Sequence, residues 1–236
     1  MARRKLSDYC RQFVDVPDPK MRDLRHFCAY VKERGFAPGT VIDVGFCYGT
    51  PELQEAFPDA YHMLFEPQKS LEKHMKNVLK RRRGEYHVCA LSDQSGEMSM
   101  NIPPDAIDGA SLAWPDAKHA QMVPVRTLDE VVGDRDLDGP VFLKTDCQGF
   151  DLTVLKGAEN FLPKIGVVVM EVELYYPANN RDLYDFGDVV SWMRDRDFAV
   201  IDVLSYNKRP RDGALAYVDL AFAPNNGLFR EAHSWL

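Results

Sequence analysis

From residue 41 onward the chain alternates short apolar runs with helix-forming segments, and this alternation leaves few folds open. Val41–Gly45, Tyr61–Phe65, Val141–Thr145 and Ile165–Glu171 are apolar runs of strand length. The segments 50–57, 68–82 and 151–162 between them predict helices, the second rich in Leu, Lys, Glu and Met. Tyr86–Ala90, Met98–Ile102 and Val123–Arg126 are further strand candidates, the last two separated by an irregular segment. Residues 184–195 form an amphipathic helix through Phe186, Val189, Val190 and Met193. Repeated β-α-β units imply a parallel sheet with helices on both faces. Phe198–Leu204 and Ala216–Ala223 have only a polar turn between them, so they predict an antiparallel hairpin at the end of that sheet.

Ahead of the alternating region lies a helical preface over 5–34. Leu24, Phe27, Cys28 and Val31 fall on one helical face, and Pro17 and Pro19 divide the preface into two helices. The expected organisation is a helical extension over 1–40, one α/β domain over 41–225 and a tail over 226–236. A chain of 236 residues accommodates one such domain and is short for two.

The formal charge is -7, from 29 Lys+Arg against 36 Asp+Glu, which argues against a nucleic-acid-backbone binder. Lys80–Arg83 ends a predicted helix, where cations suit the negative end of the macrodipole. No apolar stretch approaches the roughly 18–20 residues of a membrane span. Met1 to Lys5 carry charges with no apolar segment behind them, so no signal peptide is expected. Cys10, Cys28, Cys47, Cys89 and Cys147 contain no C-x-x-C pair. A disulfide framework and a zinc site are therefore not expected, and a cytoplasmic location fits.

Val41-Ile42-Asp43-Val44-Gly45-Phe46-Cys47-Tyr48-Gly49 places a strand, an acid and two glycines before a helix. Glycines permit a tight turn and let a ligand approach the backbone. In open α/β sheets, ligands bind beside such turns at the carboxyl ends of strands. The spacing lacks the G-x-G-x-x-G of a dinucleotide site and the Lys-Ser/Thr pair of a phosphate loop. Asp43 just before the turn suits a cofactor with a cationic amino group and no phosphate. Glu66 ends the second strand and can accept hydrogen bonds from a ribose diol, against the plainer reading of a helix-start acid. Ser92 and Asp93 follow the third strand, where they can face an adenine edge or simply form a turn. Asp146 ends the Val141–Thr145 strand and points to the same cleft as Asp43. Lys144 shares its face, as an active-site cation or as a structural ion pair.

These motifs, in order, resemble the FkbM methyltransferase family. The resemblance rests on Asp43-Val44-Gly45 with Gly49, Phe65-Glu66-Pro67, Ala90-Leu91-Ser92-Asp93 and the serine-containing turn Gly109-Ala110-Ser111-Leu112. It continues through Thr127-Leu128-Asp129, Lys144-Thr145-Asp146-Cys147-Gln148-Gly149-Phe150-Asp151 and Leu155-Lys156-Gly157-Ala158. It is strong from Val41 to about Glu171 and weaker to Ala223. Phe46-Cys47 replaces the usual Ala-Asn of the first loop, and Asp151 stands where Glu is usual. The resemblance implies a Rossmann-like seven-stranded methyltransferase sheet. It implies S-adenosylmethionine as methyl donor, held by Asp43, Gly45, Phe46, Gly49, Glu66, Ser92 and Asp93. For many members it implies a sugar or other small-molecule hydroxyl as acceptor.

Methylating a hydroxyl requires alignment of donor and acceptor and removal of the hydroxyl proton. A carboxylate or histidine can take that proton, or a divalent metal can lower the hydroxyl's pKa. Asp146 and Glu171 end neighbouring strands, so they are the expected reactive pair, either as base and orienting group or as ligands of Mg²⁺. Glu173 and His119 are further candidates for the base. Trp114, Tyr175 and Tyr176 are candidate lining of an acceptor pocket, while Cys47 and Cys147 read as small apolar filling. Two other functions stay open at this level: a nicotinamide-dependent dehydrogenase, and a cofactor-binding or interaction module of the same fold without catalysis. Nucleic-acid methylation is disfavoured by the charge and by the lack of an N-P-P-Y-like tetrapeptide.

Overall fold

The computed structural model describes residues 22–104, 109–113, 118–175 and 183–231. Pro17, Pro19, Trp114 and Tyr176 lie outside these residues. Ten strands are described: β1 Thr40–Val44, β2 Tyr61–Phe65, β3 Gly84–His87, β4 Ala90–Leu91, β5 Gly96–Asn101, β6 Ala120–Arg126, β7 Val141–Thr145, β8 Ile165–Glu173, β9 Phe198–Lys208 and β10 Leu215–Pro224. Six α-helices accompany them: α1 Leu24–Glu33, α2 Pro51–Ala56, α3 Glu72–Leu79, α4 Leu128–Val132, α5 Asp151–Lys156 and α6 Phe186–Arg194.

Seven strands form one sheet in the order β3-β2-β1-β7-β8-β10-β9. β3, β2, β1, β7 and β8 run parallel, and β10 is antiparallel to both its neighbours. This is the seven-stranded, mostly parallel sheet that the resemblance implies, with the reversed hairpin where the missing helix predicts it. β1 and β7, at the centre of the sheet, are buried along their whole length, as the continuous apolar runs require.

The alternation of side chains divides the core into two layers. Ile42, Val44, Met63, Phe65, Leu143 and Val168 face α4, α5 and α6, through residues such as Leu128, Leu155 and Met193. Val41, Phe142, Val167 and Ala221 face α1 and α2, where Phe27, Cys28, Val31 and Leu53 cover them. Asp23 caps α1 by accepting from the His26 N–H, and Leu228 and Phe229 pack onto the same layer.

Two differences from the sequence reading bear on the site. The segment read as one strand, Tyr86–Ala90, is two strands in different sheets. β4 pairs with β6, and β6 with β5, in a separate three-stranded sheet that presents Met100, Val123 and Val125 inward. The helix read over 151–162 stops at Lys156. Gly157 follows, where a Cβ would lie 1.9 Å from the Ser92 carbonyl oxygen. The basic run 80–83 starts just past α3 and ties the surface together: Arg82 Nε donates to the Gln54 carbonyl, and Arg83 pairs with Asp138.

Candidate active site

The carboxyl ends of β1, β2, β7 and β8 converge on one cleft. The loop after β1 is held by the end of β2, since the Gly45 and Phe46 amides both donate to the Phe65 carbonyl. Gly45 has φ +73°, and a Cβ there would sit 2.0 Å from the Asp146 carbonyl oxygen. The loops after β1 and β7 can therefore touch only through a glycine. Phe46 is buried beneath the loop with Leu64 and Met75, and Gly49 lies against its ring.

Glu66 is 3% exposed and links two backbone segments. Its Oε2 accepts from the Cys47 amide at 2.8 Å, and its Oε1 accepts from the Gln68 amide at 2.9 Å. Burial raises its pKa, and the two amides oppose that rise. Cys47 itself has φ +48°, a left-handed conformation that aims its N–H at Glu66.

Asp43 and Lys144 are register partners on β1 and β7 and share a face. The Lys144 ammonium lies 3.5 Å from Asp43 Oδ1 and 3.5 Å from Asp146 Oδ2. Burial works against its charge, but Asp146 and Asp43 outweigh burial and raise its pKa. Burial raises the Asp43 pKa, with Lys144 and Thr50 opposing. Asp43 Oδ1 is buried, and its partner within the chain is the Lys144 ammonium at 3.5 Å.

Asp146 and Glu171 do meet. The Gln148 amide nitrogen stands between them, donating to Asp146 Oδ1 at 3.0 Å and to Glu171 Oε1 at 3.3 Å. Burial, followed by the charges of Asp146, Asp151, Glu173 and Asp219, pushes Glu171 up to about 9. Burial pushes Glu173 up to about 7. Asp151 receives the Cys147 amide on both oxygens, and burial, with the Asp146 charge adding to it, pushes it up to about 7. An N–H donor pointing at both carboxylates is not the donor set of Mg²⁺, which takes oxygen ligands. Among the described residues no group of three or more His, Cys, Asp and Glu side chains is placed to hold a metal ion.

Two cavities share the ridge formed by Gly45 and Asp146. One is walled by Phe65, Pro67, Leu91, Met100, Leu112 and Phe150. The other is more polar and is lined by Tyr48, Thr50, Lys144, Asp146 and Asp219 among others. Asp219 is a carboxylate that the sequence reading missed. It stands opposite Glu171 in the β8–β10 register and accepts from the Ser205 hydroxyl at 2.5 Å.

Asp43, Glu66, Glu171 and Glu173 do not themselves line either cavity, although Val44, Phe65 and Pro67 beside the first two line the first; other expected residues lie further away. Ser92 is buried against Gly157 and donates to the exposed Asp93, and neither lines these two cavities. Cys89, Ala90 and Leu91, just before them, do line the first cavity. His119 sits before β6, where its carbonyl accepts from Ile102, and it also lines neither cavity. Tyr175 lies beneath the Arg209 guanidinium.

A family model described as the methyltransferase FkbM domain matches residues 43–200, well over half of the chain. The chain belongs to the FkbM methyltransferase family. This membership replaces the dehydrogenase alternative. No curated protein matches the sequence. Among solved structures, an rRNA methylase from Streptococcus thermophilus is 11% identical, with a TM-score of 0.48 over 87% of this chain and 98% of that one. A 1,6-didemethyltoxoflavin-N1-methyltransferase from Burkholderia thailandensis, solved with S-adenosylhomocysteine, is 14% identical, with a TM-score of 0.47 over 92% of this chain and 86% of that one.

Proposed function

We propose that this FkbM-family protein is an S-adenosylmethionine-dependent O-methyltransferase acting on a hydroxyl of a small molecule, a sugar being the acceptor class it suits best. The observation that carries this reading is the adjacency of the two cavities: an apolar slot meets a carboxylate-rich cavity across Gly45 and Asp146. The residues present fit the cofactor. Pro67, Leu91 and Phe150 would wall the adenine, and Glu66 keeps free lone pairs for the ribose hydroxyls. Asp43, paired with Lys144, and the loop over Gly45–Gly49 would receive the amino-acid end. When bound, the cofactor supplies an electrophilic methyl group.

The chain's own residues do the rest. Glu171, held up to about 9 by burial and its acidic neighbours, carries a proton near neutral pH and becomes available as a general base for a hydroxyl as pH rises toward that value. Asp146 is set beside it by the Gln148 amide and is partnered by Lys144. Asp219 can accept a further acceptor hydroxyl from the opposite wall. The negative net charge supports an acceptor other than nucleic acid. Cys28, Cys89 and Cys147 are free thiols, which supports a reducing, cytoplasmic setting, and among the described residues no helix is long and apolar enough to cross a membrane. Calorimetry tests the reading: adenosylhomocysteine should bind and NAD should not. Tight NAD binding with no response to adenosylhomocysteine would overturn it.

A further inference from the structure

The serine-containing turn over 109–112 is a motif to which the proposed reaction gives no work. Ser111 is 1% exposed, and its backbone pairs with Asn101 in both directions at 3.0 Å, which fastens it to β5. Its hydroxyl donates to the Gln148 carbonyl at 2.8 Å and accepts from the Ala113 amide at 2.9 Å. Gln148 has φ +53°, a left-handed conformation that a side-chain-bearing residue holds only when its surroundings impose it. From that conformation its side-chain nitrogen reaches both Asp146 and Glu171.

We propose that Ser111 and Gln148 form a positioning relay that holds the Asp146 and Glu171 carboxylates on either side of one shared amide donor at the acceptor end of the site. The proposal rests on the reading of this pair as the acceptor end of the site. Two carboxylates brought this close repel each other, and a hydrogen donor shared between them relieves that repulsion. The charged groups around Glu171 are Asp146 just past β7 with its partner Lys144 on β7, Asp151 from α5, Glu173 from β8 itself and Asp219 from β10. Four of these five are acidic, and the Gln148 amide is the hydrogen-bond donor that reaches Glu171 among them. The relay links the small three-stranded sheet to the chemistry. A shift of Ser111 moves the Gln148 carbonyl, and with it the amide that sets how readily Glu171 takes a proton.

The test is a carboxyl-carbon NMR titration of the full chain labelled at glutamate Cδ, with the Glu171 resonance assigned through Glu171→Gln. It is run without ligand on the wild type, Gln148→Ala, Ser111→Ala and Ser111→Thr. An amide that donates to the ionised form lowers the midpoint, so its loss should raise the Glu171 midpoint by about one pH unit. Ser111→Ala should move it in the same direction by less, and Ser111→Thr, which keeps the hydroxyl, should restore the wild-type value. If Gln148→Ala does not fold, the two Ser111 variants carry the test. A Glu171 midpoint that stays at the wild-type value in the folded alanine variants overturns the relay. Failure of the wild type to bind adenosylhomocysteine would strike the functional reading alone, because the titration needs no ligand.

Discussion

Glu66→Gln separates the two tasks that the structure gives this side chain. The buried carboxylate accepts one backbone amide on each oxygen, from Cys47 and from Gln68. A glutamine keeps one acceptor oxygen and turns an N–H₂ toward the other amide. One amide therefore loses its partner, at a cost of about 1–3 kcal/mol. In a chain of this size each kcal/mol lowers the melting temperature by about 2–4 °C, so the ligand-free variant should melt measurably earlier. Binding should suffer separately. A ribose hydroxyl that donates to a charged carboxylate contributes about 1.5–3 kcal/mol, and loss of one such bond weakens affinity about tenfold to a hundredfold. Calorimetry with adenosylhomocysteine, well below the melting transition, measures that loss on folded protein. A lower melting temperature with unchanged affinity would show that Glu66 only braces the loop after β1, and the ribose assignment would fall.

Other perturbations follow from the same geometry. Asp146→Asn should depress turnover well before it unfolds the protein, and full activity on a verified acceptor would remove Asp146 from the mechanism. Glu171 has an ordinary value of 4.5 and is held near 9 in the fold, so the folded state binds the extra proton. Its contribution to stability is present in full below about 4.5 and is lost as pH rises through about 9. Denaturant melts across that window should slope downward, and Glu171→Gln should flatten them; an unaltered slope would mean another group dominates. Gly45→Ala drives a Cβ into the Asp146 carbonyl at positive φ, and should cost about 3 kcal/mol or more in chemical denaturation. Lys144→Met leaves Asp43 and Asp146 without their cation, at about 3–5 kcal/mol, and adding Asp43→Asn should recover part of that loss in a double-mutant cycle.

The main sheet was legible because its central strands are uninterrupted apolar runs, and because the polar turn between β9 and β10 leaves no room for a crossover helix. The second sheet was not. β4 is two residues long, and its partner β6 lies far along the chain, so no local periodicity announces the pairing. The short α5 was hidden for a similar reason, since the close approach of Gly157 to Ser92 is a tertiary fact. The placement of Asp43, Glu66, Asp146 and Glu171 was legible because acids at the ends of parallel strands must gather at one edge. Asp219 could not, because it joins them only through the reversed register of β10 against β8. Gln148 also escaped notice: its reach depends on a left-handed backbone, which glutamine composition does not suggest.

The small sheet of β4, β6 and β5 forms one wall of the apolar slot through Met100 and, nearby, Leu112. Its strand pairs are few and its outer residues face water, so its amides should exchange with solvent deuterium sooner than those of β1 and β7. A molecule seated between this wall and the main sheet would act as their mortar: exchange over Gly96–Asn101 and Ala120–Arg126 would slow on binding, although neither strand carries a group that touches the charged edge of the cleft.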